Sequence, residues 1–298
     1  MKHVTAGVLE IAYHEYGPQE GTPAILLHGF PYDTHSYDET AVQLAENGIR
    51  SIVPYLRGYG PTRFLSADTP RSGEQAALGA DLHALMDALS IDQAVLAGYD
   101  WGGRAACIVA ALWPQRVLGL VSCGLGYNIQ NIAKAGIPAA PEEEARFWYM
   151  YYFHTERGRA ALETRRDEVC RFIWNLWSPS WGFDDATFAQ SALSFHNPDF
   201  VDIVIHSYRH RFGGIPGDPD VALIEDKLAD QPDISTPTIV LQGADDTVDP
   251  PGKKDLARRH FTGPYERRII AGAGHNPPQE APAAFAKAVL DVLGGTSG

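Results

Sequence analysis

The chain has 298 residues, 45% of them hydrophobic and 20% charged. That suits one large core, or such a core with an insertion, and excludes a disordered polymer or more than two full domains. Acidic residues outnumber basic ones by 37 to 24, and no basic cluster is dense enough to follow a phosphate backbone. Nucleic acid and anionic membrane surfaces are therefore excluded as partners, and a neutral small molecule is expected.

From Ala24 to Phe30 the apolar run AILLHGF reads as a buried strand that stops in a loop at Pro31. Ala41 to Asn47 is a helical stretch, Arg50 to Leu56 a second strand, and Gln75 to Leu89 a second helix. A third strand, Ala94 to Asp100, is followed at once by a helix from Gly102 to Trp113, then by strand again from Val117 to Leu125. Strands and helices thus alternate, and the strands are nearly continuous apolar runs, as in a parallel sheet covered on both faces.

The alternation breaks between about Gly126 and Asp233, where aromatic and charged residues mix at helical spacing. Trp148, Trp174, Trp177 and Trp181 lie here beside Tyr149, Tyr151, Tyr152 and Tyr208. The stretch reads as a helical lid. The α/β rhythm then resumes with a strand at Thr238 to Leu241, a helix near Lys253 to His260, a strand near Glu266 to Ala271 and a last helix from Glu280 to Leu293. Residues 1–125 and 234–298 are accordingly expected to form the core, with 126–233 as an inserted cap.

Cys107, Cys123 and Cys170 are too few and too scattered for a disulfide framework or a zinc site, and are expected to be reduced packing residues. Met1 to Gly17 lacks the apolar centre of a secretory signal, and no apolar run approaches the roughly 20 residues of a membrane span. The cytoplasm is the default location. A homodimer is open.

The junction Gly98-Tyr99-Asp100-Trp101-Gly102-Gly103 has the form of a nucleophile elbow with Asp in place of the commoner Ser. Small residues on either side of the nucleophile suit a tight, strained turn that lifts the central side chain above the sheet. Asp100 could instead merely cap the helix that follows. Partners further along favour the elbow: Gly243-Ala244-Asp245-Asp246 and Gly272-Ala273-Gly274-His275 each follow a strand. Nucleophile, acid, histidine is the chain order of a hydrolase triad. Asp246 is preferred to Asp245 as the acid. The other place for a triad acid is closed, because Val117 to Pro141 contains no Asp or Glu.

His28-Gly29-Phe30-Pro31 ends the first strand, so the backbone N–H of Phe30 can join that of Trp101 in an oxyanion hole. His28 is expected to fix this loop by hydrogen bonds. A carboxylate nucleophile suits displacement at an sp³ carbon, forming an alkyl ester; water activated by His275 then attacks the carboxyl carbon of Asp100. Epoxides and organohalides are the two substrate classes this fits, and neither needs a metal or an organic cofactor.

The elbow DWGG, the HGFP loop and Arg57-Gly58-Tyr59-Gly60 resemble those of the epoxide hydrolases of the α/β-hydrolase superfamily, over nearly the whole chain. The resemblance implies an α/β-hydrolase fold with a helical cap. It also implies two cap tyrosines that donate hydrogen bonds to the epoxide oxygen, one in a Y-x-x-x-F pattern and one before an Arg. Tyr149 through Phe153 matches the first and Tyr208-Arg209 the second. Trp101, Trp148 and Tyr152 are expected to line the substrate site. Haloalkane and haloacid dehalogenases are the related alternative, in which the Trp101 indole and that of Trp148 or Trp174 would hold a halide. A receptor that kept the fold without catalysis is a third reading, disfavoured because a binding pocket needs neither the acid, the histidine nor the oxyanion loop.

Overall fold

The computed structural model describes residues 1–295. Nine strands form one sheet: β1 (Lys2–Ala6), β2 (Leu9–Tyr16), β3 (Thr22–Leu27), β4 (Ile49–Pro54), β5 (Arg63–Phe64), β6 (Ala94–Gly98), β7 (Val117–Cys123), β8 (Thr238–Gly243) and β9 (Tyr265–Ile270). Their order is β1-β2-β4-β3-β6-β7-β8-β9, with the short β5 beside β2. From β4 onward every neighbouring pair is parallel, and only the pairs that involve β2 are antiparallel.

The helices are α1 (Asp38–Glu46), α2 (Gln75–Ala88), α3 (Asp100–Leu112), α4 (Pro141–Arg146), α5 (Trp148–His154), α6 (Glu156–Thr164), α7 (Arg166–Trp177), α8 (Asp185–Phe195), α9 (Phe200–Arg211), α10 (Ala222–Ala229), α11 (Pro277–Glu280) and α12 (Pro282–Leu293). In the core, α1 packs on α12 and α2 on α3. Helices thus cover the sheet, which explains why every residue of β6 and β8 is buried and why these strands carry no polar–apolar alternation. Among the described residues, no helix is long and apolar enough to cross a membrane.

Three segments differ from the sequence reading or add to it. Met1 to Gly17, read only for the absence of a signal, forms the β1–β2 hairpin, which turns at Gly7 with φ +55°. The helix expected near Lys253 to His260 is reduced to a 3₁₀ turn at Ala257–His260. There Asp255 caps the Arg258 N–H and accepts from the Tyr265 hydroxyl at 2.6 Å, tying the segment to β9. The expected last helix is present but begins at Pro282 rather than Glu280, after Ala281, whose φ of −142° reflects the exclusion of helical backbone before Pro282.

All the helices between β7 and β8, α4 to α10, belong to the stretch expected to form the lid. Several polar contacts tie it to the core. Ser191 and Ser194 of α8 donate to the two oxygens of the buried Asp33 at 2.7 and 2.6 Å, and the Trp174 indole donates to the Pro31 carbonyl at 2.7 Å.

Candidate active site

Strand β3 has β4 on one side and β6 on the other, so the chain order reverses there. In an open α/β sheet, the crevice beyond the strand ends at such a reversal is where ligands bind. Leu27 pairs with Gly98, which sets the loop after β3 beside the turn that opens α3. That turn is tight: Asp100 has φ +49°, a left-handed conformation that a non-glycine residue adopts only where its surroundings hold it. A Cβ on Gly102 would lie 2.0 Å from the Leu27 carbonyl oxygen, and one on Gly29 would lie 2.6 Å from the Asp100 Cβ. Both glycines are required by close approach.

The Phe30 N–H donates to Asp100 Oδ1 at 2.7 Å. The loop that presents it is fixed by His28, whose Nε2 accepts from the Leu56 N–H at 3.1 Å while Nδ1 meets the Gly29 carbonyl at 3.0 Å. Burial lowers the His28 pKa to about 4, so this ring stays neutral. Trp101 stands in the first turn of α3, where backbone N–H groups have no acceptor within the helix. Its ring is fully buried and its indole N–H has no partner.

Asp246 follows β8, and His275 follows the loop after β9. His275 Nδ1 lies 2.9 Å from Asp246 Oδ2, and Nε2 lies 3.8 Å from Asp100 Oδ2 with no hydrogen-bond partner of its own. Asp246 Oδ1 is held by the N–H groups of Val248 and Asp249. It is therefore Asp246 and not the neighbouring Asp245 whose carboxylate meets the imidazole. The His275 backbone N–H donates to Ser178 Oγ at 3.0 Å, and the Trp177 ring closes over the imidazole at 4.8 Å between centroids.

Burial works against both charges of the His275–Asp100 pair, yet mutual attraction outweighs it. The carboxylates of Asp246 and Asp100 raise the His275 pKa well above the ordinary imidazole value. The Asp100 pKa is lowered despite burial by His275, by the charge of Arg211 and by the Phe30 N–H. Each charge thus favours the other at rest. Alkylation of Asp100 removes one of the charges that hold the proton on His275 and moves the ring toward the neutral form that a base requires.

Tyr149 of α5 and Tyr208 of α9 are brought together, 2% and 0% exposed, with their rings 5.4 Å apart and nearly perpendicular. The Tyr208 hydroxyl has no partner, and its ring packs against Trp101 at 6.1 Å and Phe30 at 5.4 Å. Burial raises both phenol pKa values well above 10, so both remain proton donors at neutral pH.

Trp148 and Tyr152 do not join them. Neither lines the cavity beside Asp100, and Trp101, also expected there, does not line it either, so that Tyr149 borders the cavity while Tyr208 and Trp101 lie behind its wall; Trp148 borders a separate hollow with Ala145, Arg146 and Leu176. Helix geometry gives the reason. Tyr149 and Phe153 are four residues apart on the inward face of α5, while Trp148 and Tyr152 share the adjacent face and pack on each other at 6.0 Å. Trp174, considered as a halide donor, has its indole N–H bound to Pro31.

Asp100, Tyr149, Arg104, Arg211 and Asp249 line one cavity of about 310 Å³, with Tyr127, Ile129, Met150 and Phe212 among its apolar walls. Arg211 and Asp249 were not picked out from the sequence. Arg211 was detectable only as the residue one turn beyond Tyr208, and Asp249 had no signal. Cys107, Cys123 and Cys170 are buried and unpaired, away from this cavity.

This arrangement has the parts of a two-step hydrolysis: a nucleophile, a base held by an acid, backbone donors and phenolic donors. Comparison with known proteins agrees at the level of fold and family. Residues 22–282 match the family model described as the alpha/beta hydrolase fold. Epoxide hydrolase A of Mycobacterium tuberculosis is 27% identical, over 93% of this chain and 92% of its own. A Klebsiella pneumoniae protein, provisionally named an epoxide hydrolase, has a crystal structure that superposes with a TM-score of 0.94 at 50% identity, covering 98% of this chain and 96% of that one. A Pseudomonas aeruginosa structure shares the fold at 19% identity, with a TM-score of 0.80 over 98% and 94% of the two chains. With the elbow, the sheet order and the family match in agreement, the chain belongs to the α/β-hydrolase fold family and is a hydrolase.

Proposed function

We propose that this hydrolase opens epoxides to vicinal diols through an ester on Asp100. The observation that best supports the reading is the pair of buried tyrosines facing the elbow, because an epoxide, unlike a halide, leaves as an alkoxide that needs a proton. The relatives named epoxide hydrolases point the same way. Residues 126–233, which contain α4 to α10, would act as the cap that carries both tyrosines.

In the first step Asp100 attacks an sp³ ring carbon, the C–O bond breaks, and Tyr149 or Tyr208 gives its proton to the departing oxygen. The charge lost from Asp100 loosens the proton on His275, which returns through solvent to the tyrosinate, and the neutral ring then accepts a proton from water. The hydroxide adds to the Asp100 carboxyl carbon, and the Phe30 and Trp101 N–H groups hold the oxyanion. Collapse breaks the ester bond, the leaving alkoxide takes the proton of the newly formed Asp100 carboxyl group, and the diol departs from a restored carboxylate, with one water consumed. Asp246 balances the imidazolium in this step.

The test is a panel of epoxides and haloalkanes, followed by pre-steady-state kinetics on the best substrate. Diol formation is expected. Tyr149→Phe and Tyr208→Phe should each slow alkyl-enzyme formation by roughly 10²–10⁴-fold, the range of general acid catalysis. Halide release without diol formation, or a double tyrosine variant as fast as wild type, would contradict the reading.

A further inference from the structure

Arg211 is the last residue of α9, one helical turn beyond Tyr208, so the two side chains share a face. Its guanidinium lies over the Tyr208 ring, 4.9 Å from the centroid. Arg211 is 7% exposed, lines the Asp100 cavity and makes no side-chain hydrogen bond or ion pair among the described residues. Arg104, one turn into α3 from Asp100, lines the same cavity. Its Nη1 donates to Gln75 Oε1 at 3.1 Å, and its Nε is buried without a partner. Glu225 accepts from the Gln75 amide at 2.6 Å and forms no ion pair with Arg104.

The protein treats another buried arginine differently. Arg57 forms a bidentate pair with Asp81 at 2.6 and 2.7 Å and donates to the Ser72 carbonyl. A buried guanidinium without such a partner is costly, and two beside each other repel. Burial and the charge of Arg211 bring the Arg104 pKa down to about 9, still protonated at neutral pH.

The acids of the cavity wall do not resolve this. Asp100 is engaged by Phe30 and His275 and loses its charge when the ester forms. Burial and the neighbouring Asp246 raise the Asp249 pKa to about 7. Glu144 is held by the Ala139 N–H and the Tyr151 hydroxyl, and Glu143 is exposed.

We infer that the cavity is built for an epoxide bearing a carboxylate, which Arg211 and Arg104 grip while the oxirane faces Asp100 and the tyrosines. The inference rests on the epoxide reading for the reacting group, but the anion site stands on the two arginines alone. The forked guanidinium suits a carboxylate by geometry as well as charge.

The experiment pairs 3-phenylglycidate with its neutral amide as substrates, and phenylacetate with phenylacetamide as unreactive ligands. Wild type should prefer the carboxylate epoxide, and Arg211→Gln or Arg104→Gln should cut the carboxylate-to-amide ratio of kcat/KM by about 10- to 100-fold, chiefly through KM. Phenylacetate should raise the Tm of wild type more than phenylacetamide does, and lose that effect in Arg211→Gln. Arg211→Lys, which keeps the charge but not the fork, should fall between and serves if the Gln variant does not fold. Turnover of both epoxides without preference, or phenylacetate binding no better than its amide, would overturn the inference and leave the epoxide reading intact. Phenylacetate bound through Arg211 with no epoxide opened would sink the epoxide reading and leave the anion site standing.

Discussion

At the scale of single residues, the site depends on which carboxylates keep a charge. Asp246 touches the imidazole while Asp245 does not, so Asp246→Asn should slow hydrolysis of the alkyl-enzyme by at least about tenfold, and Asp245→Asn should leave it nearly unchanged. Single-turnover decay of the ester measures this, and the reverse ranking would reassign the acid. Asp249 gives a stability prediction. Its folded-state pKa, about 7, is above its unfolded value, so the folded chain binds more protons between about pH 4 and 7. Its contribution therefore falls as pH rises through that window. Asp249→Asn should flatten this loss, seen as a smaller drop in Tm from pH 5 to pH 8; an unaltered slope would place the loss in another group.

The same scale shows what could be read in advance. Asp100, Asp246 and His275 stood out because each follows a strand in a short glycine-containing motif. Trp148 and Tyr152 were misplaced because composition marks an aromatic segment without saying which helical face turns inward. Arg211 and Asp249 belong to no motif, and only the approach of α9 and the loop after β8 gives them meaning.

At the scale of elements, the elbow is a steric device as much as a catalytic one. Its legibility came from glycines, whose necessity the packing of α3 against β3 explains. Gly102→Ala puts a methyl group 2.0 Å from the Leu27 carbonyl oxygen, where backbone must move. We expect about 3 kcal/mol of lost stability, the upper part of the range for overpacked interiors, together with loss of activity. Urea unfolding checks it; a stability within 0.5 kcal/mol of wild type, roughly the scatter of neutral surface changes, would mean the turn relaxes freely. The central strands were legible as apolar runs because helices cover both faces. The β1–β2 hairpin and the segment before Ala257 were not, since an exposed alternating edge and a side-chain-capped turn leave weak periodic signals.

At the scale of the whole molecule, an acidic chain with net charge −13 encloses a cavity walled by two unmatched arginines. Overall charge pointed to a neutral ligand, and the local field points to an anionic one, because net charge sums a surface that the substrate leaves behind on entering. Arg104 of α3 and Arg211 of α9 make this field together, and the stretch between β7 and β8 that carries Arg211 is fastened through Asp33 and Pro31, with Ser178 also holding the histidine loop. The proposed chemistry turns on the carboxylate of Asp100. The most direct test is a single turnover in H₂¹⁸O with excess enzyme, followed by mass spectrometry of the peptide containing Asp100 and of the product. The label is predicted in the Asp100 carboxylate and absent from the product of that first turnover; label in the product alone would contradict the ester and with it the role assigned to Asp100.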